Sequence, residues 1–199
     1  MSAPTFHNPV VSSFGSSKKK PTPSIRFLRQ ADPLWSSVKL GNSKVSIGKS
    51  GCLLTLYTEA LRVLDVDALA TPLTVNKKAI AAGAYIGAGL VQSTLSKALG
   101  FNLGPLVVDV DAIKRELVTP REHDTLFVIH LDHGGTRAPD HFALGLLVDT
   151  DRDLLIVADP ATGLPCKLSL STLSGPAGWG NKTYVIRSVR CLTKSQSAL

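Results

Sequence analysis

Residues 140–160, DHFALGLLVDTDRDLLIVADP, contain two β-rich apolar runs joined by the polar turn DTDRD. Apolar runs separated by turn residues in this way are typical of two antiparallel strands in a hairpin. With the turn centred on Asp151, the numbers of paired residues sum to 302, and Asp149 is expected to pair with Asp153. This hairpin contributes two strands to the predicted sheet and two polar residues to the candidate site.

The same register brings two polar residues of the hairpin together. His141, which opens the first strand, is expected to face Ala161, and Asp159, which closes the second strand, then lies one same-face step away. Side chains at this diagonal spacing are within reach of each other. An odd sum would place His141 and Asp159 on opposite faces of the sheet and would separate them.

Elements on both sides of the hairpin predict an α+β fold. Further strands are expected at TLFVIHL (125–131), CKLSL (166–170) and TYVIRSVRCL (183–192). Helices are expected at CLLTLYTEALRVL (52–64), at VNKKAIAA (75–82) with Thr74 as its cap and Gly83 at its end, at Leu90–Leu99, and at Asp111–Leu117. N-terminal helices followed by an antiparallel sheet indicate an α+β architecture rather than an alternating parallel one.

The chain of 199 residues is predicted to consist of an arm and one domain. Residues 1–24 are rich in Ser, Pro and Lys without a sustained apolar period, so they are expected to form a flexible basic arm. Residues 25–199 have the composition of a single globular domain that can bury its own core. Phe6, Val10, Val11 and Phe14 are the natural anchors if a partner holds the arm.

The net charge of +7 comes partly from a cluster of cations between Lys18 and Arg29. Few aromatic residues accompany this cluster, so nucleic acid is an unlikely partner and a solvated basic tail is the better interpretation. No stretch reaches the roughly 18 apolar residues of a membrane span, and the N-terminus lacks the pattern of a secretory signal. The sequence therefore predicts a soluble protein without a signal peptide, cytoplasmic on synthesis and then retained, released or associated with a virion.

Cys52 is the candidate nucleophile because of its position. It follows the glycine step GKSG and opens an apolar helix. The unpaired N–H groups and the dipole of a helix N-terminus favour a negative charge, so a thiol there is primed to react as a thiolate. Its backbone N–H is also placed to stabilise an oxyanion. Cys166 and Cys191 are interpreted as small core residues.

Other histidines of the chain give a weaker signal. His130, Asp132 and His133 in FVIHLDHGG alternate along a strand, but two such residues on one face without a third ligand are poor evidence for a metal. No metal and no cofactor are therefore predicted.

Five segments, taken in order, resemble the C39-like branch of the papain-like cysteine peptidases. They are RQADPLWSSVKLG, VSIGKSGCLLT, TPLTVNKKAIAAGAYIGAGL, DHFALGLLVD and LLIVADPATG. The resemblance implies a papain-like cysteine peptidase fold, with Cys52 as nucleophile, His141 as general base and then acid, Asp159 as the group that orients the imidazole, and Gln30 as an oxyanion donor. Gln30 is further from the cysteine than in papain, with the segment SVKLGNSKVSIG between them. Residues 1–199 contain no transporter domain, so a resemblance to the leader-processing domain of a full exporter is not expected.

The resulting functional prediction is a thiol hydrolase that cleaves an amide bond in a peptide or a peptidoglycan cross-link. Its relatives would be free-standing enzymes, phage-encoded or directed at cell walls. The alternative is a catalytically silent or accessory structural protein of a virion or another large assembly, docking through the N-terminal arm. A nucleic-acid-binding module is a more distant alternative.

Overall fold

The computed structural model describes residues 26–121, 124–133, 140–177 and 181–195, so the predicted arm at residues 1–24 lies outside the described part. The helices are α1 (Ile47–Ser50), α2 (Cys52–Val63), α3 (Pro72–Ala81), α4 (Gln92–Ala98) and α5 (Val110–Val118). The strands are β1 (Tyr85–Ile86), β2 (Gly89–Leu90), β3 (Phe101–Leu103), β4 (Thr125–His133), β5 (His141–Asp149), β6 (Leu154–Asp159), β7 (Leu164–Ser169), β8 (Ser174–Pro176) and β9 (Thr183–Lys194).

Six antiparallel strands close into a barrel in the order β9-β4-β5-β6-β7-β8, because β8 pairs with both β7 and β9. The predicted papain-like α+β fold, with helices packed on an antiparallel sheet, is therefore wrong. Closure depends on β8, a three-residue strand containing Gly175 and Pro176 whose composition does not predict a strand. A side chain at position 175 would collide with the carbonyl of Lys167, so glycine is needed where β8 closes against β7.

Successive side chains along the barrel strands belong alternately to two apolar clusters, as the period of two in a β-strand requires. Phe127, Ile129 and Leu131 of β4 belong to the cluster shared by all the long barrel strands and by α5. Leu126 and Val128 of the same strand belong to the other cluster, in which the N-terminal helices cover the outside of the barrel. Helix α2 contacts β5 most extensively, and this contact places the start of α2 beside the start of β5.

Two predicted helices start at other residues than the sequence indicated. The cap of α3 is Thr71, not Thr74: the Thr71 side chain accepts from Thr74 N, and the Thr74 hydroxyl accepts from Thr71 N. Helix α4 starts at Gln92 because the preceding Gly89–Leu90 pairs with Tyr85–Ile86 as a short hairpin. Within the described ranges, none of the helices combines the length and the apolar character that crossing a bilayer requires.

Candidate active site

Cys52 is held at the start of α2 by a close approach of the backbone. The N–H of Gly51 donates to Ile47 O at 2.7 Å, which joins α1 to α2 without a gap. A Cβ atom at position 51 would lie 2.5 Å from Ile47 O and 2.6 Å from Ile47 Cγ2, so only glycine fits this junction. The N–H groups in the first turn of a helix have no intrahelical acceptor. The half-buried Cys52 thiol therefore lies beside donors that can bind a negative charge.

A bulge in β5 sets the register that joins His141 to Asp159. Near the turn Asp149 pairs with Leu154, so the predicted pairing with Asp153 is wrong and the numbers of paired residues sum to 303. The register shifts between Gly145 and Leu147, and beyond this irregularity the sum is 302. Because a β-bulge adds one residue to one strand, it restores the even register at the far end of the hairpin. His141 Nε2 consequently lies 2.7 Å from Asp159 Oδ1.

Asp159 is fully buried and is enclosed by hydrogen-bond donors. Its contacts are His141 Nε2 at 2.7 Å and Ala161 N at 2.9 Å on Oδ1, and the Tyr184 hydroxyl at 3.1 Å, the Thr162 hydroxyl at 3.2 Å and the Cys166 thiol at 3.8 Å on Oδ2. Burial alone would raise the pKa of this carboxyl, but the hydrogen bond and the charge of His141, with the other donors, outweigh it and hold the pKa below its usual range. Asp159 is therefore a stable buried anion.

His141 is buried between the carboxylate and the thiol. Burial lowers the pKa of the imidazole, but its hydrogen bonds to Asp159 and Cys52, and their charges, raise it from 6.5 to about 9. Asp159 is bound to Nε2, which leaves Nδ1 as the ring nitrogen available to Cys52. The structure thus brings together the three residues that the sequence singled out, with the histidine in the middle.

Because the pKa of His141 is raised, the stabilisation that this residue gives to the fold is expected to be lost at alkaline pH. A histidine whose folded-state pKa exceeds its unfolded value stabilises the fold fully below the unfolded pKa, and this contribution is lost as pH rises through the folded one. We therefore expect the contribution of His141 to the free energy of unfolding to decline above pH 6.5 and to be lost as pH rises through about 9; a Cys52→Ser background, in which no thiol titrates at this site over the same interval, isolates it. Urea unfolding at a series of pH values measures this, and the His141→Gln variant should show a much flatter profile over the same interval. An equally steep profile in that variant would contradict the assignment.

The Cys52 thiol and the His141 ring line a cleft of about 350 Å³. Its walls also include Gln30, Lys49 and Ser50 from the N-terminal segment, and His130, His133, Asp140, Phe142 and Ala161 from the barrel. A larger groove, of about 730 Å³, lies between the end of α5 and the β5–β6 turn, but neither the thiol nor the imidazole lines it. The smaller cleft is the candidate active site because a ligand there can reach the sulfur.

Gln30 lines the same cleft, as its predicted role requires. Its backbone N–H donates to Pro160 O at 2.8 Å, which ties the N-terminal segment to the end of β6. Its side-chain Nε2 donates to Gly48 O at 3.2 Å. An amide nitrogen carries two hydrogens, and Gly48 O is the acceptor of one of them among the residues that the structure describes, so the other N–H of Gln30 is available to a ligand there.

The residues considered for a metal have other partners. Asp132 forms an ion pair with Arg187, with Nη2 and Oδ2 2.6 Å apart. His130 stacks on Phe142, with ring centroids 4.0 Å apart, and His133 Nδ1 lies 3.0 Å from Asp140 Oδ2. Among the described residues there is no group of three or more His, Cys, Asp or Glu side chains arranged to hold a metal ion.

The sequence analysis missed one residue at this site, Tyr184. It is fully buried in β9 and donates a hydrogen bond to Asp159, although 25 residues separate the two. A buried tyrosine hydroxyl needs a hydrogen-bond partner, so a tyrosine on the inward face of an apolar strand was a usable signal. The sequence could not identify that partner, because β6 and β9 are not neighbouring strands of the barrel and the contact between them is tertiary.

Comparison of the sequence with models of protein families and with curated proteins finds no match to either. The resemblance to C39-like peptidases therefore stays a prediction from the motifs. The chemistry of the site has to be inferred from its own geometry.

Proposed function

We propose that this protein is a thiol hydrolase that cleaves an amide bond, in a peptide or in a peptidoglycan cross-link. One observation carries the proposal: the His141 imidazole, bound through Nε2 to the buried Asp159 carboxylate, interacts with the Cys52 thiol, and both side chains line the same open cleft. A nucleophile beside a base that is itself oriented by a third group is the arrangement required for covalent catalysis. The proposal concerns the site and does not depend on a papain-like fold.

The reaction follows from the protonation of His141. His141 takes the proton of the Cys52 thiol, and a sulfur beside the resulting imidazolium reacts as a thiolate. The thiolate of Cys52 adds to the carbonyl carbon, His141 gives its proton to the departing amine, and the C–N bond breaks to leave a thioester. Water then adds to the thioester while His141 takes its proton, and breakage of the C–S bond releases the acid and regenerates the thiolate beside the protonated imidazole.

The negative charge that develops on the carbonyl oxygen has two donors available. One is the backbone N–H of Cys52 at the start of α2, and the other is the second N–H of Gln30. Donors that are fixed in advance stabilise an oxyanion without having to reorganise during the reaction. Both lie on the side of the cleft formed by the N-terminal segment, opposite the barrel residues that hold the imidazole.

Digestion of two substrates tests the proposal directly. The full chain is incubated with purified peptidoglycan and, separately, with unfolded casein, and the release of new amino groups is followed by chemical labelling and mass spectrometry. We expect release from at least one substrate and its loss after treatment with iodoacetamide. If neither substrate is cleaved and Cys52 reacts with iodoacetamide no faster than free cysteine, the hydrolase is rejected in favour of a silent structural protein that assembles through its arm.

Replacement of Gln30 tests the second oxyanion donor. Gln30→Ala removes the free N–H, and we expect kcat for the cleaved substrate to fall about 100-fold with little change in KM, because the interaction is made in the transition state. Steady-state kinetics measure both constants. Gln92→Ala is the matched control, since Gln92 begins α4 and is not among the residues lining the cleft. Equal kcat values for the two variants would remove Gln30 from the mechanism.

A further inference from the structure

We propose that Tyr184 is a positioning residue of the thiol hydrolase, holding the Asp159 carboxylate with its hydroxyl and the His141 imidazole with the face of its ring. The inference deepens the proposed function and rests on it. Tyr184 does not line the cleft, so it is not a catalytic residue. Its role would be to fix the two groups that act on Cys52.

The position of Tyr184 is fixed by the barrel. It pairs with Gly175 of β8 and with His133 of β4, so neighbouring strands hold its backbone on both sides. Its side chain is fully buried in the cluster inside the barrel. A side chain enclosed in this way has few rotamers, and its hydroxyl is therefore directed rather than mobile.

The hydroxyl of Tyr184 acts on the carboxylate oxygen that His141 does not use. Asp159 Oδ1 faces His141 Nε2, while Oδ2 receives the Tyr184 hydroxyl at 3.1 Å. Anchoring Oδ2 stops the carboxylate from rotating about the bond to its Cβ atom, so Oδ1 stays aligned with the imidazole. The same hydrogen bond contributes to the low pKa of Asp159. Tyr184 therefore helps to keep the acid both oriented and charged.

The ring of Tyr184 acts on the imidazole itself. The centroids of the Tyr184 and His141 rings are 5.6 Å apart, and the planes differ by 17°, which is a stacked arrangement. Stacking at this separation is favourable and opposes rotation of the smaller ring about its χ2 angle. The electron-rich face of a tyrosine also attracts a cation, so it favours the protonated form of His141. One side chain thus contacts both the carboxylate and the imidazole.

A pair of tyrosine variants tests the role. Tyr184→Phe keeps the ring and removes the hydroxyl; Tyr57→Phe removes another fully buried hydroxyl, one that lies 2.7 Å from Ser96 Oγ in the helical part of the molecule. Loss of a hydrogen bond to a charged group is expected to lower the rate constant for alkylation of Cys52 by iodoacetamide about 10-fold in Tyr184→Phe. Tyr57→Phe should alkylate at the wild-type rate, and thermal unfolding of both variants shows that they are folded.

A second readout does not depend on catalysis. The pH titration of the Asp159 carboxyl, followed by carbon-13 NMR, should shift to higher pH in Tyr184→Phe and stay unchanged in Tyr57→Phe, because only the first variant loses a donor to the anion. In the wild-type protein, nuclear Overhauser contacts between the ring protons of Tyr184 and His141 should be present. The proposal would be overturned if those contacts were absent from the wild-type protein. It would also be overturned if the two variants had equal rate constants for alkylation of Cys52 and equal titrations of Asp159. If no substrate is ever cleaved but the titration shifts, the proposed hydrolase fails and the coupling of Tyr184 to Asp159 stands.

Discussion

Cys52→Ala is expected to abolish hydrolysis while leaving the fold unchanged. The sulfur forms the covalent bond to the substrate, and loss of a nucleophile in such a triad typically costs a factor of about 10⁶ in kcat. Cys52 is half-buried at the start of a helix, so removal of one sulfur atom there leaves no sealed cavity. Amino groups released from the cleaved substrate measure turnover, and circular dichroism with urea unfolding measures the fold.

Cys191→Ala provides the matched control for this experiment. Cys191 is buried in β9, and burial raises the pKa of its thiol, so it is not expected to react or to contribute to turnover. Retained hydrolysis in Cys52→Ala would exclude Cys52 as the nucleophile. Loss of hydrolysis in both variants would instead indicate that a change of fold, and not of chemistry, is being measured.

Asp159→Ala is expected to have the second largest effect, on stability and on activity together. The substitution leaves His141 buried without its carboxylate and deprives the Tyr184 and Thr162 hydroxyls of their acceptor. Breaking a buried ion pair by removing one partner costs about 3–5 kcal/mol, which urea unfolding at pH 7 should register. The pKa of His141 should fall, because the hydrogen bond and the charge of Asp159 help to raise it.

Asparagine at the same position separates charge from shape. In Asp159→Asn the side-chain oxygen can still accept from His141, and the amide nitrogen can donate to the Tyr184 hydroxyl, so the loss of stability should be smaller than in Asp159→Ala. Asp153→Asn is the control, since Asp153 accepts hydrogen bonds from Ser169 and Ser171 at the surface. If Asp159→Asn proved as well tolerated as Asp153→Asn in stability and in the His141 titration, the carboxylate charge would have no role.

The site was more predictable than the fold that carries it. His141 and Asp159 lie on consecutive strands joined by a short turn, so their proximity depends on local pairing that the alternation of residues encodes. The predicted pairing at the turn was nevertheless wrong, and contact between the two side chains is restored by an irregularity at the Gly145–Leu147 step. A bulge leaves little trace in composition, because packing on both faces of the strand decides where the extra residue is accommodated.

The closure of the barrel could not be predicted from local sequence. It depends on Ser174–Pro176, a strand too short and too rich in Gly and Pro to be recognised by its propensity. The non-local pairing that completes the barrel is that of β9 with β4, which places Tyr184 opposite His133, and Tyr184 then reaches Asp159. The sequence could therefore indicate which residues meet at the candidate site, but it could not indicate the architecture that encloses them or the third strand that supports them.

The long strand β9 gives the molecule an order of assembly. It pairs with β3, β4 and β8, and all of these precede it in synthesis. A nascent chain that ends before residue 183 already contains the sulfur, the imidazole and the acid, but it has neither a closed barrel nor the Tyr184 hydroxyl. Pairings between distant segments form slowly. A chain in which β9 has not yet docked is therefore expected to lack the enhanced thiol reactivity of the assembled site, and the onset of that reactivity would report that β9 has paired.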